Sequence, residues 1–355
     1  MMRYGRWVGI GLLLLVLVLV LPWGDPAVVP VTALPEGPTS FPGMLVPAHN
    51  QTHPEAIALG RKLFFDTILS NDGKVSCSTC HDPGRAFSDG LPHSTGAGGL
   101  ETRRHAPALV NVGYVPGELF WDGSVGSLEE QVVRSIEDPT EMASDWTTVI
   151  RKLREHPEYG PALVNLFALR DGSHLRPMHV AQVIAQFERS LVSGHSRYDQ
   201  YRAGIAALNE AELRGLAIFF DFEDELPDAE CNHCHTDPFF TDFQFVNNGI
   251  QSPDQWKNNP DGGRVEVTGK PFDRGKFRVP TLRNVALTAP YMHDGSKATL
   301  MEVIEHYNSG GHPAINSSVN VRPLGLTERD KSDLLAFLHT LTDSTFIHNP
   351  DFQRP

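Results

Sequence analysis

Every cysteine in the 355-residue chain belongs to one of two copies of a single pattern, Cys-x-x-Cys-His. The copies are Cys77-Ser-Thr-Cys80-His81 and Cys231-Asn-His-Cys234-His235, 154 residues apart. Other landmarks repeat around them. Gly60-Arg-Lys-Leu-Phe-Phe-Asp66 returns 155 residues later as Gly215-Leu-Ala-Ile-Phe-Phe-Asp221. Pro107-Ala-Leu-Val-Asn111 returns as Pro280-Thr-Leu-Arg-Asn284, an offset of 173. Phe120-Trp-Asp-Gly-Ser124 returns as Met292-His-Asp-Gly-Ser296, an offset of 172. Four landmarks in one order at nearly one offset mean that the chain holds two diverged copies of one module.

Helical patterning dominates both copies, over 125–135, 146–154, 178–191, 210–222, 300–307 and 328–341. Thr52-His53-Pro54-Glu55 has the spacing of a capping box and predicts a helix carrying Ile57, Leu59, Leu63 and Phe64. Asn209 and Thr327 are the expected N-caps of two later helices. Long alternating stretches that would build a sheet are missing. Segments 83–118 and 236–290 are rich in Gly, Pro, Asn and Asp and predict loops. The expected fold is mostly α: a linker over 25–50, an N-terminal domain over 51–205, a C-terminal domain over 206–345 and a tail over 346–355.

The N-terminus has the pattern of an export signal. Arg3 and Arg6 precede an apolar run of 14 residues, Val8 to Leu21, which Pro22 ends. A membrane span needs about 20 residues, so residues 1–24 are expected to be a secretory signal peptide, with a retained membrane anchor as the alternative. Val31-Thr32-Ala33 has a small-x-small pattern but lies far downstream. The expected location is the periplasm. A formal charge of −13 argues against a nucleic-acid partner and allows a basic protein partner. With 40% hydrophobic residues the chain can build real cores.

Each Cys-x-x-Cys-His can tether one haem: two thiols add to the vinyl groups, and the adjacent histidine lies under the iron as its proximal ligand. Zinc would need four ligands gathered in one place, and a thioredoxin-type dithiol would not need the histidine. Two covalent c-type haems are therefore expected, one in each of two cytochrome c-like domains. A pure electron carrier would have both irons six-coordinate. A peroxidase needs one open or displaceable iron site and a group that moves the peroxide proton. In the first copy His93, His105, Gln131, Glu141 and Met142 are the distal candidates. In the second they are Met292, His293, Met301, His306, Tyr307 and His312, and spacing alone does not choose among them.

Over residues 52–342 the chain resembles the bacterial di-haem cytochrome c peroxidase/MauG family. The resemblance is carried by Leu63-Phe-Phe-Asp66, the two Cys-x-x-Cys-His motifs, Arg104-His-Ala-Pro107, Phe120-Trp-Asp-Gly123 and Ser127-Leu-Glu-Glu-Gln131. Thr140-Glu-Met142, Pro280-Thr-Leu-Arg-Asn284 and Ala289-Pro-Tyr-Met-His-Asp-Gly295 complete it. It implies that Trp121 stands between the haems, Gln131 in the distal pocket and Glu141 as the acid–base group. It also implies calcium ligands at the Thr288 and Pro290 carbonyls, but the third calcium position is His105 here, and imidazole is a poor calcium ligand.

Two departures from the cytochrome c peroxidase pattern place the chain nearer the MauG branch. The residue 14 beyond His293 is Tyr307, where a methionine ligand is usual. Phenolate is a hard donor that favours oxidised iron, whereas methionine favours ferrous iron. The usual displaceable histidine of the first haem is replaced by Ala97, with His93 nearby but out of register. The expected function is peroxide reduction at the N-terminal haem, held by Cys77, Cys80 and His81. Electrons would come from a cytochrome c or cupredoxin through the C-terminal haem, held by Cys231, Cys234, His235 and Tyr307. The alternatives are MauG-like oxidation of Tyr or Trp side chains on a protein partner, and a non-catalytic electron-transfer cytochrome. Glu141 and the missing ligand near residue 97 argue against the last.

Overall fold

The structure, a computed structural model, describes residues 41–258 and 261–355. The expected export segment 1–24 and linker residues 25–40 lie outside the described residues. Among those described, eight helices have eight residues or more: α1 (Pro54–Phe65), α2 (Leu128–Glu137), α3 (Trp146–Glu155), α4 (Tyr159–Leu166), α5 (Pro177–Ser190), α6 (Glu210–Phe220), α7 (Leu300–Ser309) and α8 (Glu328–His339). The described sheet is one antiparallel pair of two-residue strands, β1 (Phe245–Val246) and β2 (Phe277–Arg278), with Phe245 opposite Arg278. The fold is mostly α, as expected.

The duplication is visible in the packing. In the first module α1 lies against α5, and a side chain at Gly60 would overlap the Val183 carbonyl. In the second, α6 lies against α8, and a side chain at Gly215 would overlap the Asp333 carbonyl. The repeated Gly-x-x-x-Phe-Phe therefore has a physical cause: glycine lets two helix backbones touch, and the aromatics four and five residues on fill the core beside them. Phe64 packs with Phe87 and Phe187 in the first module, and Phe219 with Phe240 and Phe337 in the second. Asn111 and Asn284 both adopt left-handed backbone, φ 58° and 60°. Each turns the chain into a short 3-10 segment and uses its side chain to hold residues near the end of its module.

Asn209 and Thr327 cap their helices in full capping boxes, as predicted. The box predicted at Thr52 does not form: His53 is the N-cap, and the buried Thr52 hydroxyl has no partner. A residue before proline prefers extended backbone, so Pro54 sets the helix start one residue later than the pattern suggested. Helix α4 was not predicted, because Gly160 and Pro161 in its first turn read as breakers.

The described part of the expected linker, residues 41–50, and the tail both belong to the body. Met44 and Val46 are buried, and Phe41 meets Tyr114 of the first module and Phe239 of the second, with centroids at 5.6 and 4.7 Å. Phe346 and Phe352, 2% and 3% exposed, lie in the first module's core although they follow the second in sequence. Arg61 Nε donates to the Gln353 carbonyl at 2.8 Å and Arg354 to that of Phe65 at 3.1 Å. Tyr198 lies in the second core, ahead of the expected boundary at 205/206.

Candidate haem and peroxide site

The two Cys-x-x-Cys-His segments are short helical turns whose histidines are held alike. His81 Nδ1 pairs with the Phe87 carbonyl at 2.8 Å, and His235 Nδ1 with that of Phe240 at 3.0 Å. With Nδ1 tied to a carbonyl, each ring keeps Nε2 as a bare nitrogen for a metal. The four thiols form no disulfide. Burial pushes them upward, Cys80 to about 11 and Cys231 to about 12, the reverse of an activated redox dithiol. Among the described residues no metal-binding cluster includes a cysteine, so neither a zinc site nor a thioredoxin-like pair fits.

One continuous cavity of about 750 Å³ connects the two segments. Cys80, His81, Gln131, Ser135 and Glu141 line it on the first module's side, and Cys231, Cys234, His235, Asn248 and Tyr307 on the second's. Cys77 packs beside the first core. Trp121 lines the same cavity where the modules meet. Its indole N–H donates to the His105 carbonyl at 2.8 Å, and its carbonyl accepts from the Arg278 N–H of β2 at 2.8 Å. Arg104 ties the modules together beside it, bonding Asp122 at 2.7 Å and Asp261 at 2.8 Å.

Glu141 sits in the turn that follows α2, which Asp138 shapes by accepting from the Thr140 N–H at 2.8 Å. Burial is the first cause that pushes its carboxyl up, to about 7; a Ser135 hydrogen bond opposes the rise. Gln131, one helical turn before Ser135, donates to the Ser135 hydroxyl at 2.9 Å. The Ala97 N–H donates to the Glu141 carbonyl at 2.6 Å, and Gly96 lies so close that a side chain there would overlap the Thr140 carbonyl. Neither Ala97 nor His93 is among the described lining residues of the cavity.

In the second module Tyr307, on α7, is half-buried and lines the cavity, and its hydroxyl accepts from Asn248 Nδ2 at 3.2 Å. Burial pushes the phenol up to about 12. Met292 and His293 also line the cavity, whereas Met301, His306 and His312 are not among its described lining residues. His306 pairs with the Asn248 carbonyl at 2.9 Å. His293 stacks on Phe277 with centroids 3.5 Å apart. Thr288 and Pro290 line the cavity as well. Both nitrogens of His105 are engaged, with the Leu91 carbonyl at 2.7 Å and the Ser88 hydroxyl at 3.3 Å, so neither is free for a calcium ion. Ser135, Asn248 and Arg278 were not singled out in the sequence; a lone serine, asparagine or arginine carries no local signal that it faces a cavity.

A family model described as di-haem cytochrome c peroxidase matches residues 54–207. The methylamine utilization protein MauG of Methylorubrum extorquens is 36% identical over 297 residues, covering 83% of this chain and 80% of that one. The chain belongs to the di-haem cytochrome c peroxidase/MauG family. This di-haem peroxidase is also 35% identical to the cytochrome-c peroxidase IdrP1 of Denitromonas iodatirespirans, over 90% of each chain. A solved structure of a MauG-like protein associated with microbial copper homeostasis superposes with a TM-score of 0.80 at 36% identity, covering 90% of this chain and 98% of that one. Membership makes the protein an oxidoreductase of the peroxidase class with haem c as its cofactor. Among the described residues no helix is long and apolar enough to cross a membrane.

Proposed function

We propose that this protein reduces hydrogen peroxide in its first module, using electrons that a cytochrome c or cupredoxin delivers to its second. The observation that carries the reading is the asymmetry of one cavity. A carboxyl that burial pushes up to about 7 lines it on the side of His81, while a phenol lines it on the side of His235. Cys77, Cys80 and His81 would hold one haem, and Cys231, Cys234, His235 and Tyr307 the other. When bound, haem iron supplies the site that takes up peroxide and the electron storage between donor and oxidant.

The residues supply the proton chemistry. Glu141 as carboxylate would accept a proton from one peroxide oxygen and return it to the other, departing oxygen as the O–O bond breaks. Two electrons from the donor and two protons from solvent complete the conversion of peroxide to two waters. Gln131, its amide N–H given to Ser135, has its carbonyl oxygen left to orient an O–H in the cavity. Trp121 lines the cavity at the junction of the modules, where an aromatic ring shortens an electron's path. A calcium ion at Thr288 and Pro290 is not part of this reading, since His105 has no nitrogen to spare. Residues 1–24 would send the chain to the periplasm.

Glu141→Gln tests the role of the carboxyl. The rate constant of the reaction with peroxide, followed by stopped-flow absorbance, should fall roughly 10²–10⁴-fold, with both haems still present by pyridine haemochrome assay. An unchanged rate constant refutes it. Tyr307 favours a second reading, MauG-like oxidation of Tyr or Trp side chains on a protein partner, because a phenolate donor favours oxidised iron. Steady-state turnover of peroxide with reduced cytochrome c decides between them: fast turnover supports the first, and negligible turnover despite a fast peroxide reaction supports the second.

A further inference from the structure

Arg278, in β2, lines the cavity beside Trp121 but has no carboxylate partner among the described residues. Its neighbours show the contrast. Arg104 is shared between Asp122 and Asp261, and Arg264 pairs with Glu118. Arg278 reaches only three carbonyls: Nη1 donates to Phe243 at 3.0 Å, Nε to Phe120 at 3.4 Å and Nη2 to Gly117 at 3.4 Å. Two of these bonds are long, and three account for only part of the five N–H donors of a guanidinium. Its charge also lies near that of Arg264, and both cations lie over the Phe245 ring, at 4.7 and 4.1 Å from its centroid. Burial, first, and Arg264 together push the guanidinium down to about 10, although Glu118 and Asp122 oppose this. A desolvated cation beside a like charge is costly unless an anion shares its site.

That anion must fit a cavity whose two ends carry the Cys-x-x-Cys-His segments. We propose that Arg278 is the counter-ion of a haem propionate, pairing with its carboxylate through the N–H donors left over. The proposal rests on haem occupying the cavity and is independent of the proton chemistry assigned to Glu141. A fixed cation at a propionate has a definite electrochemical consequence. It favours the reduced haem, which carries one more negative charge, and so raises that haem's midpoint potential.

The test is spectroelectrochemical titration of the purified di-haem protein and of Arg278→Gln and Arg278→Lys, each first checked for two haems per chain. In Arg278→Gln the reduction equilibrium constant of one haem should fall at least roughly tenfold, about 59 mV for one electron. In Arg278→Lys much of that fall should be recovered. Two unchanged potentials in Arg278→Gln overturn the proposal. If Arg278→Gln cannot be isolated with both haems, resonance Raman of Arg278→Lys replaces it: a shifted propionate-bending band supports the contact, and bands identical to the unmutated protein overturn it. Titrating the unmutated protein with acetate separates a resident propionate from a free carboxylate. No change in potential is expected, and a saturable shift that Arg278→Gln abolishes would assign the site to a free anion instead. Failure of the Glu141 role would leave these potentials as they are, so the two ideas fail separately.

Discussion

A carboxyl near pH 7 is useful only if something tunes it, and the tuning of Glu141 comes from its neighbours. Burial raises it to about 7, and the Ser135 hydroxyl pulls the other way by donating to the charged form. In the proposed reaction the carboxylate is the competent form, so the rate constant with peroxide should rise with pH through about 7. Ser135→Ala removes a hydrogen bond that favours the carboxylate. The midpoint of the profile should therefore move to higher pH while haem content stays constant, as a stopped-flow series across pH would read. An unmoved midpoint, or one moved down, contradicts the role given to Ser135. Part of this site was legible in the sequence. The cysteines and histidines announce themselves because covalent attachment needs contiguous residues. Gln131 and Glu141 came from resemblance, since a glutamate after a helix is otherwise an ordinary capping residue. Ser135 was not legible, because its meaning depends on Gln131 and Glu141 both reaching it, one from its own helix and one from the turn beyond.

The helices repeat one device twice. Gly60 and Gly215 let α1 close on α5 and α6 on α8 at backbone contact, so these glycines are packing residues rather than hinges. Gly215→Ala should force the pair apart and lower unfolding stability by about 1–3 kcal/mol, measured by denaturant titration of the haem-loaded protein; stability within a few tenths of a kcal/mol of the unmutated protein would show that α6 and α8 can separate without cost. The same elements show where local signals succeed. Asn209 and Thr327 cap as their spacing implies, since a capping box is a contact within four residues. At Thr52 the backbone preference imposed by Pro54 outweighs the box, and the helix starts at the proline.

At the scale of the whole molecule the C-terminal segment holds the modules together. Asp343 accepts from the Ser193 hydroxyl and the Gly194 and His195 N–H groups, at 3.0, 3.0 and 2.9 Å, and so fastens the connector between modules. Beyond it Phe346 enters the first core beside Phe87, with ring centroids 5.8 Å apart. Phe346→Ala should cost about 3–5 kcal/mol, seen as a lower unfolding midpoint of the first module by its haem absorbance, and an unchanged midpoint would mean that this segment only decorates the surface. By itself the sequence determined that there are two modules, that each is helical and where each carries its Cys-x-x-Cys-His motif. Those signals are written in contiguous residues and in a repeat. Only the tertiary structure decided that both Cys-x-x-Cys-His motifs face one cavity, that Tyr307 rather than His306 lines it, that Arg278 stands in it with no carboxylate partner among the described residues, and that Phe346 and Phe352 belong to the first core. Each of these depends on groups far apart in the chain, and which of them meet is set by how helices and loops pack, not by any spacing along the backbone.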